Sequence, residues 1–142
     1  MKRIVLCGVF VAALLASLGC GGGSDSVTST PPSATGTWAA TLTATGGTQL
    51  PNGAQFTATL VLVQIAPDLW EGTYSTQGGS TGTIFGQLTG YTFTFSTFEG
   101  GPCGGVFDGV GTLNGSSTGM SGTYAGSDCT GTLQATFVAA RQ

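Results

Sequence analysis

Few residues of this chain could do acid–base or nucleophilic chemistry. Glu99 and Asp108 flank one predicted loop, and two carboxylates across a cleft are the machinery of glycoside hydrolysis. Two acids beside a hairpin are far more often solvated loop charges. Asp108 and Asp128 could offer oxygens to calcium, but the closely spaced oxygen ligands of a calcium loop are missing. The chain has no histidine, and its three basic residues are Lys2, Arg3 and Arg141. The usual general bases and Schiff-base nucleophiles are therefore absent after Arg3. Serines are plentiful, but none has an evident activating partner. The expectation is a protein that is not an enzyme, with no cofactor and no catalytic residue.

The remaining reactive groups are the four cysteines, Cys7, Cys20, Cys103 and Cys129. Their spacing fits no zinc motif. Cys20 stands between an apolar run and the glycine string Gly21–Gly23. The chain opens with Met1-Lys2-Arg3, and Ile4–Leu18 is apolar but shorter than the roughly 20 residues of a spanning helix. A basic start, a short apolar middle and the small residues Ser17 and Gly19 predict a secretory signal peptide over 1–19. Cys7 would leave with it. Residues 20–34 (CGGGSDSVTSTPPSA) have little apolar surface to offset their ordering entropy, and predict a flexible linker that stiffens at Pro31-Pro32.

Ser17-Leu18-Gly19-Cys20 resembles the lipobox of bacterial lipoproteins, with Ser17 where leucine usually stands. The resemblance implies a mature chain that begins at Cys20, carries acyl chains such as palmitate there, and is held to a membrane. Family members kept in the inner membrane often carry Asp after the cysteine. Gly21 holds that place, which implies the outer membrane in a Gram-negative host. The alternative is plain export, secreted or periplasmic, with a spare thiol. Removal of 1–19 leaves Arg141 against six acids. Such a chain cannot neutralise phosphates, which excludes nucleic acid as a partner.

Residues 35–142 suffice for one domain. Short alternating runs separated by glycine-rich turns predict eight strands, at 36–45, 55–65, 69–76, 81–89, 91–98, 105–113, 119–125 and 130–140. Asn52-Gly53, Gly78-Gly79 and Leu88-Thr89-Gly90-Tyr91 are turn signals. Glu71-Gly72-Thr73-Tyr74 recurs as Ser121-Gly122-Thr123-Tyr124, each followed by a Thr-Gly-Thr-aliphatic run. Repetition of one hairpin type suits an antiparallel meander that closes into a barrel and so removes exposed edges. Alternation puts Trp38, Ala40 and Leu42 on one face, Trp70 with Tyr74, Tyr91 with Phe93 and Phe95, Met120 with Tyr124, and Leu133 with Phe137. Gly72 and Gly122 share faces with rings, leaving room for them. The predicted interior lining is Trp38, Trp70, Tyr74, Phe93, Phe95, Tyr124 and Phe137. The first six are the candidate ligand-binding residues.

Gly36-Thr37-Trp38 and the recurring Gly-Thr-Tyr resemble the calycin-type barrels, the avidins and lipocalins. Biotin binding does not follow, because Ala40 and Ala44 replace the Asn and Ser that avidins carry there. The lipocalin likeness implies an arginine near the last strand packing over the first-strand tryptophan, a role open to Arg141. The competing reading of Arg141 is a solvated terminal charge.

With Cys20 acylated, Cys103 and Cys129 form an even pair in an oxidising space. They fall between strands 5 and 6 and between strands 7 and 8, at one end of an up-and-down barrel. In the chain-entropy model a bridge there stabilises by roughly 3.5 kcal/mol. Three functional readings follow. One is a lipid-anchored barrel holding a small apolar ligand. The second is a ligand-free structural or surface interaction module of the cell envelope. The third is a membrane-spanning barrel with its aromatics toward lipid. The anchor is checked by intact-mass analysis of the membrane fraction: the chain should start at Cys20 with acyl mass added, and a free N-terminus at Cys20 in the soluble fraction would exclude it.

Overall fold

The structure, a computed structural model, describes residues 31–142. The predicted signal peptide, Cys20 and most of the linker lie outside the described residues. The strands are β1 (Gly36–Gly47), β2 (Gln55–Ala66), β3 (Leu69–Thr76), β4 (Thr81–Thr89), β5 (Thr92–Glu99), β6 (Val106–Leu113), β7 (Gly119–Asp128) and β8 (Gly131–Arg141). Each pairs antiparallel with the next, and β8 returns to β1 to close the barrel. The predicted all-β, eight-stranded meander is the observed fold. The seam runs from Trp38↔Arg141 to Gly47↔Leu133, with a bulge between Ala44 and Gly46.

Strand β7 runs further than the sequence suggests. Gly126 and Ser127 continue its ladder opposite Phe107 and Val106, but such small residues show no apolar alternation. Tyr91 corrects a face assignment. Thr89 pairs with Thr92, so Gly90-Tyr91 is a two-residue hairpin loop. Gly90 comes first with φ 60°, as a type II′ turn requires. Tyr91 is thereby taken out of the strand and is exposed, while Phe93 and Phe95 point inward as predicted.

The interior is built by alternating rings with glycines around the wall. One cross-strand row reads Trp70↔Gly86↔Phe95↔Gly109↔Tyr124. The next layer reads Phe93↔Gly111↔Gly122↔Phe137. Tyr74 stands opposite Gly82, and Phe107 opposite Gly126. Ring tips press against these glycines: a Cβ at Gly86 would come within 2.4 Å of Phe93, and one at Gly109 within 2.2 Å of Phe95. Small and large inward residues must alternate for side chains to fill a narrow barrel. The apolar faces therefore turn inward, the reverse of a membrane-spanning barrel with its polar lumen. Outward positions are mainly Thr, Ser and Gln, apart from apolar residues on β2–β6 and Val138 on β8.

One end of the barrel is closed by the chain that leads into β1. Ala34 is fully buried; its carbonyl accepts the Trp38 indole N–H at 2.8 Å, and Thr35 Oγ1 accepts that of Trp70 at 3.1 Å. The Arg141 guanidinium sits 4.9 Å over the Trp38 ring and donates to the Ser33 carbonyl. Arg141 is thus a packed residue rather than a solvated end. Its cation–π contact contributes about 0.5–2 kcal/mol. The opposite end carries the β1–β2, β3–β4, β5–β6 and β7–β8 loops. There Cys103 and Cys129 are bridged, with Cα atoms 5.2 Å apart across a sequence separation of 26.

The ring–glycine fit generates a stability test. Gly86→Ala and Gly109→Ala should each destabilise by ~1–3 kcal/mol through overpacking. Gly115→Ala, where an added Cβ meets nothing, should stay within about 0.5 kcal/mol of the parent. Urea unfolding measures all three, and equal values would refute the fit.

Candidate functional site

The predicted ligand-lining residues separate into two groups. Trp38, Trp70 and Phe93 are almost fully buried at the closed end and seal the base. Tyr74, Phe95 and Tyr124 line an internal cavity of about 50 Å³, together with Phe137. That space is far below the ~300 Å³ or more of a typical ligand site. Tyr74 and Tyr124 also line a second, open space of about 470 Å³ at the disulfide end, with Phe56 and Thr76 again shared. The two tyrosines stand between the two spaces and face both. The candidate site is this mouth and the narrow apolar chamber beneath it.

A column of rings runs from base to mouth. Trp70 meets Phe93 edge-on at 6.5 Å, Phe93 stacks on Phe95 at 5.6 Å, Phe95 on Tyr124 at 6.2 Å, and Tyr124 on Phe107 at 5.2 Å. Such pairs each contribute about 0.5–1.5 kcal/mol beyond burial. The column fixes the Tyr124 ring, and Thr97 fixes its hydroxyl. Thr97 is buried, its Oγ1 donates to the Phe107 carbonyl, and the same oxygen lies 3.3 Å from the Tyr124 hydroxyl. Burial first, then the Glu99 and Asp128 charges, push the Tyr124 phenol up to about 12, against the Thr97 hydrogen bond. Burial also raises Tyr74, aided by Tyr124, Glu99 and Asp128. The Tyr74 side chain is 8% exposed, and its hydroxyl has no hydrogen-bond partner among the described residues.

The acids weighed in the sequence occupy three different places. Glu99 continues the inward phase of Phe93, Phe95 and Thr97 and lines the mouth. Asp108 points outward on β6, where it accepts from Ser96 Oγ. The barrel wall therefore separates Glu99 from Asp108. Asp128 lines the mouth and caps the β7–β8 turn, accepting from Thr130 Oγ1, Thr130 N and Gly131 N. The Thr130 hydroxyl, foremost among these donors, holds its carboxyl below the usual range. Among the described residues no group of three or more His, Cys, Asp or Glu could hold a metal ion.

Sequence reasoning missed Phe56, Thr97, Phe107 and the Gln49–Leu50 segment. Gln49 Nε2 donates to the Gly131 carbonyl, and Leu50 packs on the Phe107–Leu133 cluster beside the mouth. Thr97 and Phe107 were available from phase alone, since each continues an inward series. The β1–β2 loop contacts depend on distant partners and leave no local signal. No protein-family model matches the chain, and no curated protein or solved structure is significantly similar to it.

The buried phenol sets a pH dependence. Below about pH 10, Tyr124 is protonated in both folded and unfolded chains and contributes no slope. Between about 10 and 12 the unfolded chain releases this proton while the folded chain keeps it. Stability should therefore fall through that window, by on the order of 2 kcal/mol at its upper end. Tyr74, which burial also raises, adds its own share, so urea melts across the window should show the fall, Tyr124→Phe should reduce it, and Tyr74→Phe combined with Tyr124→Phe should flatten it.

Proposed function

We propose that this protein is a lipid-anchored, non-catalytic component of the cell envelope whose barrel holds a small, largely apolar ligand behind the disulfide-framed mouth. The single observation that carries the ligand reading is that the open mouth and the apolar chamber share Tyr74 and Tyr124 in their linings. Aromatic walls with a few polar groups at one end are the usual make-up of a small-molecule site. The bridge between Cys103 and Cys129 holds the β5–β6 and β7–β8 loops in one frame, which keeps the mouth's shape. Support for the anchor and for envelope localisation comes from the signal-peptide pattern and Gly19-Cys20; the outer membrane is the proposed site in a Gram-negative host. The non-catalytic reading is supported by the lack of histidine and by the separation of Glu99 from Asp108.

A specific observation favours the ligand-free interaction module as a second reading. The chamber is small, and Val61, Val63, Ile65, Leu69, Phe85 and Phe98 are exposed on the outer wall. The Phe85 and Phe98 rings meet edge-on at 6.1 Å. Contiguous apolar surface of this kind marks protein contact sites.

Both tryptophans seal the base, so indole emission is a poor reporter of the mouth. Amide chemical shifts are the better readout. Titration with straight-chain alkanols of increasing length should shift Thr97, Glu99, Tyr124 and the 49–54 loop saturably, with affinity rising about four-fold per buried methylene. Absence of saturable shifts along the series would leave the interaction module as the reading.

A further inference from the structure

The mouth has a charge character that the chamber does not. Glu99 and Asp128 both line it. Arg141, the only base among the described residues, packs on Trp38 at the opposite end. No cation on the described wall offsets the two carboxylates. Tyr74 lines both the mouth and the chamber; its side chain is more than nine-tenths buried, and its hydroxyl has no partner among the described residues. That hydroxyl opens on the mouth and can accept from a ligand group there.

We propose that the mouth selects amphiphiles with a protonated amine head: the apolar body enters between Tyr74, Phe95 and Tyr124, and the ammonium stays at the rim with Glu99 and Asp128. This selectivity rests on the proposed ligand-binding role and names its ligand class. Each part of the head group finds a complement. An ammonium offers N–H donors to the Tyr74 oxygen and to the Glu99 carboxylate. An anionic head would meet two like charges with no counter-ion. A fatty acid is therefore the disfavoured class, although the barrel's apolar interior would suit its tail.

Three probes of equal chain length test this: decylammonium, decanol and decanoate, titrated calorimetrically into the protein below their aggregation concentrations at neutral pH. Decylammonium should bind about five-fold or more tighter than decanol, as expected for one carboxylate–ammonium contact near a solvated rim, and decanoate weakest. The preference should shrink as salt rises. Glu99→Gln should remove most of it, and an amide spectrum like the parent's away from the mouth certifies that the variant is folded. Asp68→Asn, at the closed end, should change nothing. Asp128 is left intact because it caps a turn. Equal affinity for the three probes, or a preference for decanoate, overturns the selectivity while the apolar site stands. Failure of all three to bind overturns the site itself.

Discussion

The opposition of inward aromatic rings and inward glycines governs this structure. A small barrel encloses little volume, and six or more large rings cannot share it unless the wall opposite each ring recedes. Gly109, Gly82 and Gly126 are such recesses, each directly across a ladder from the ring it faces, and Gly86 is another, making room for Phe93 on the neighbouring strand one inward pair along. Glycine in a strand weakens the ladder through its backbone entropy. Here that loss is offset by ring burial and stacking, which no side chain at the same position would allow. The same opposition fixes register, because a one-residue slip would turn the rings to solvent and the threonines inward.

From this constraint the division of the interior follows. Near the base, Trp38, Trp70 and Phe93 meet Ala34 and leave no space. Toward the disulfide end the tyrosines replace tryptophan, and their hydroxyls require polar company that an apolar core lacks. Thr97 supplies it for Tyr124. The barrel thus grades from a dry, fully packed base to a mouth where phenols, carboxylates and a bridge surround a wet space. The ring column links the two ends mechanically, so the mouth is shaped by packing that begins at the base.

Strands with a clear contrast between faces were open to reading from the sequence. β1, β3 and β8 set Trp, Tyr, Leu or Phe against Thr, Glu or Gln, and their faces came out as expected. In β2 the contrast is lost: Phe56, Ala58, Leu60 and Leu62 face in, yet Val61, Val63 and Ile65 face out. Both faces are apolar, so period-two logic has nothing to separate. The bridge was legible because strand order alone places two loops at one end. The clasp at Ser33–Thr35 was not, since it is short, polar and lies in a stretch whose composition suggests only a linker. Its bonds reach Trp38, Trp70 and Arg141, and long-range partners of that kind have no local signature. The mouth was half legible: Tyr74 and Tyr124 announced themselves as aromatics, whereas Glu99 was weighed as a loop charge beside Asp108 rather than as the next inward step after Thr97.

The clasp also decides how the molecule would carry force. The chain before Ser33 joins the barrel at its base, next to the C-terminal end of β8, since Trp38 pairs with Arg141. A pull through that lead-in would first strain the Ser33 contact with Arg141 and the Ala34 bond to the Trp38 indole. Beyond these, tension would run along β1, drawing it lengthwise past β2 and β8. Hydrogen bonds loaded in that direction share the load side by side, whereas a strand peeled from its edge loses them one at a time. The base, where the lead-in enters, is therefore the mechanically strong end of the barrel.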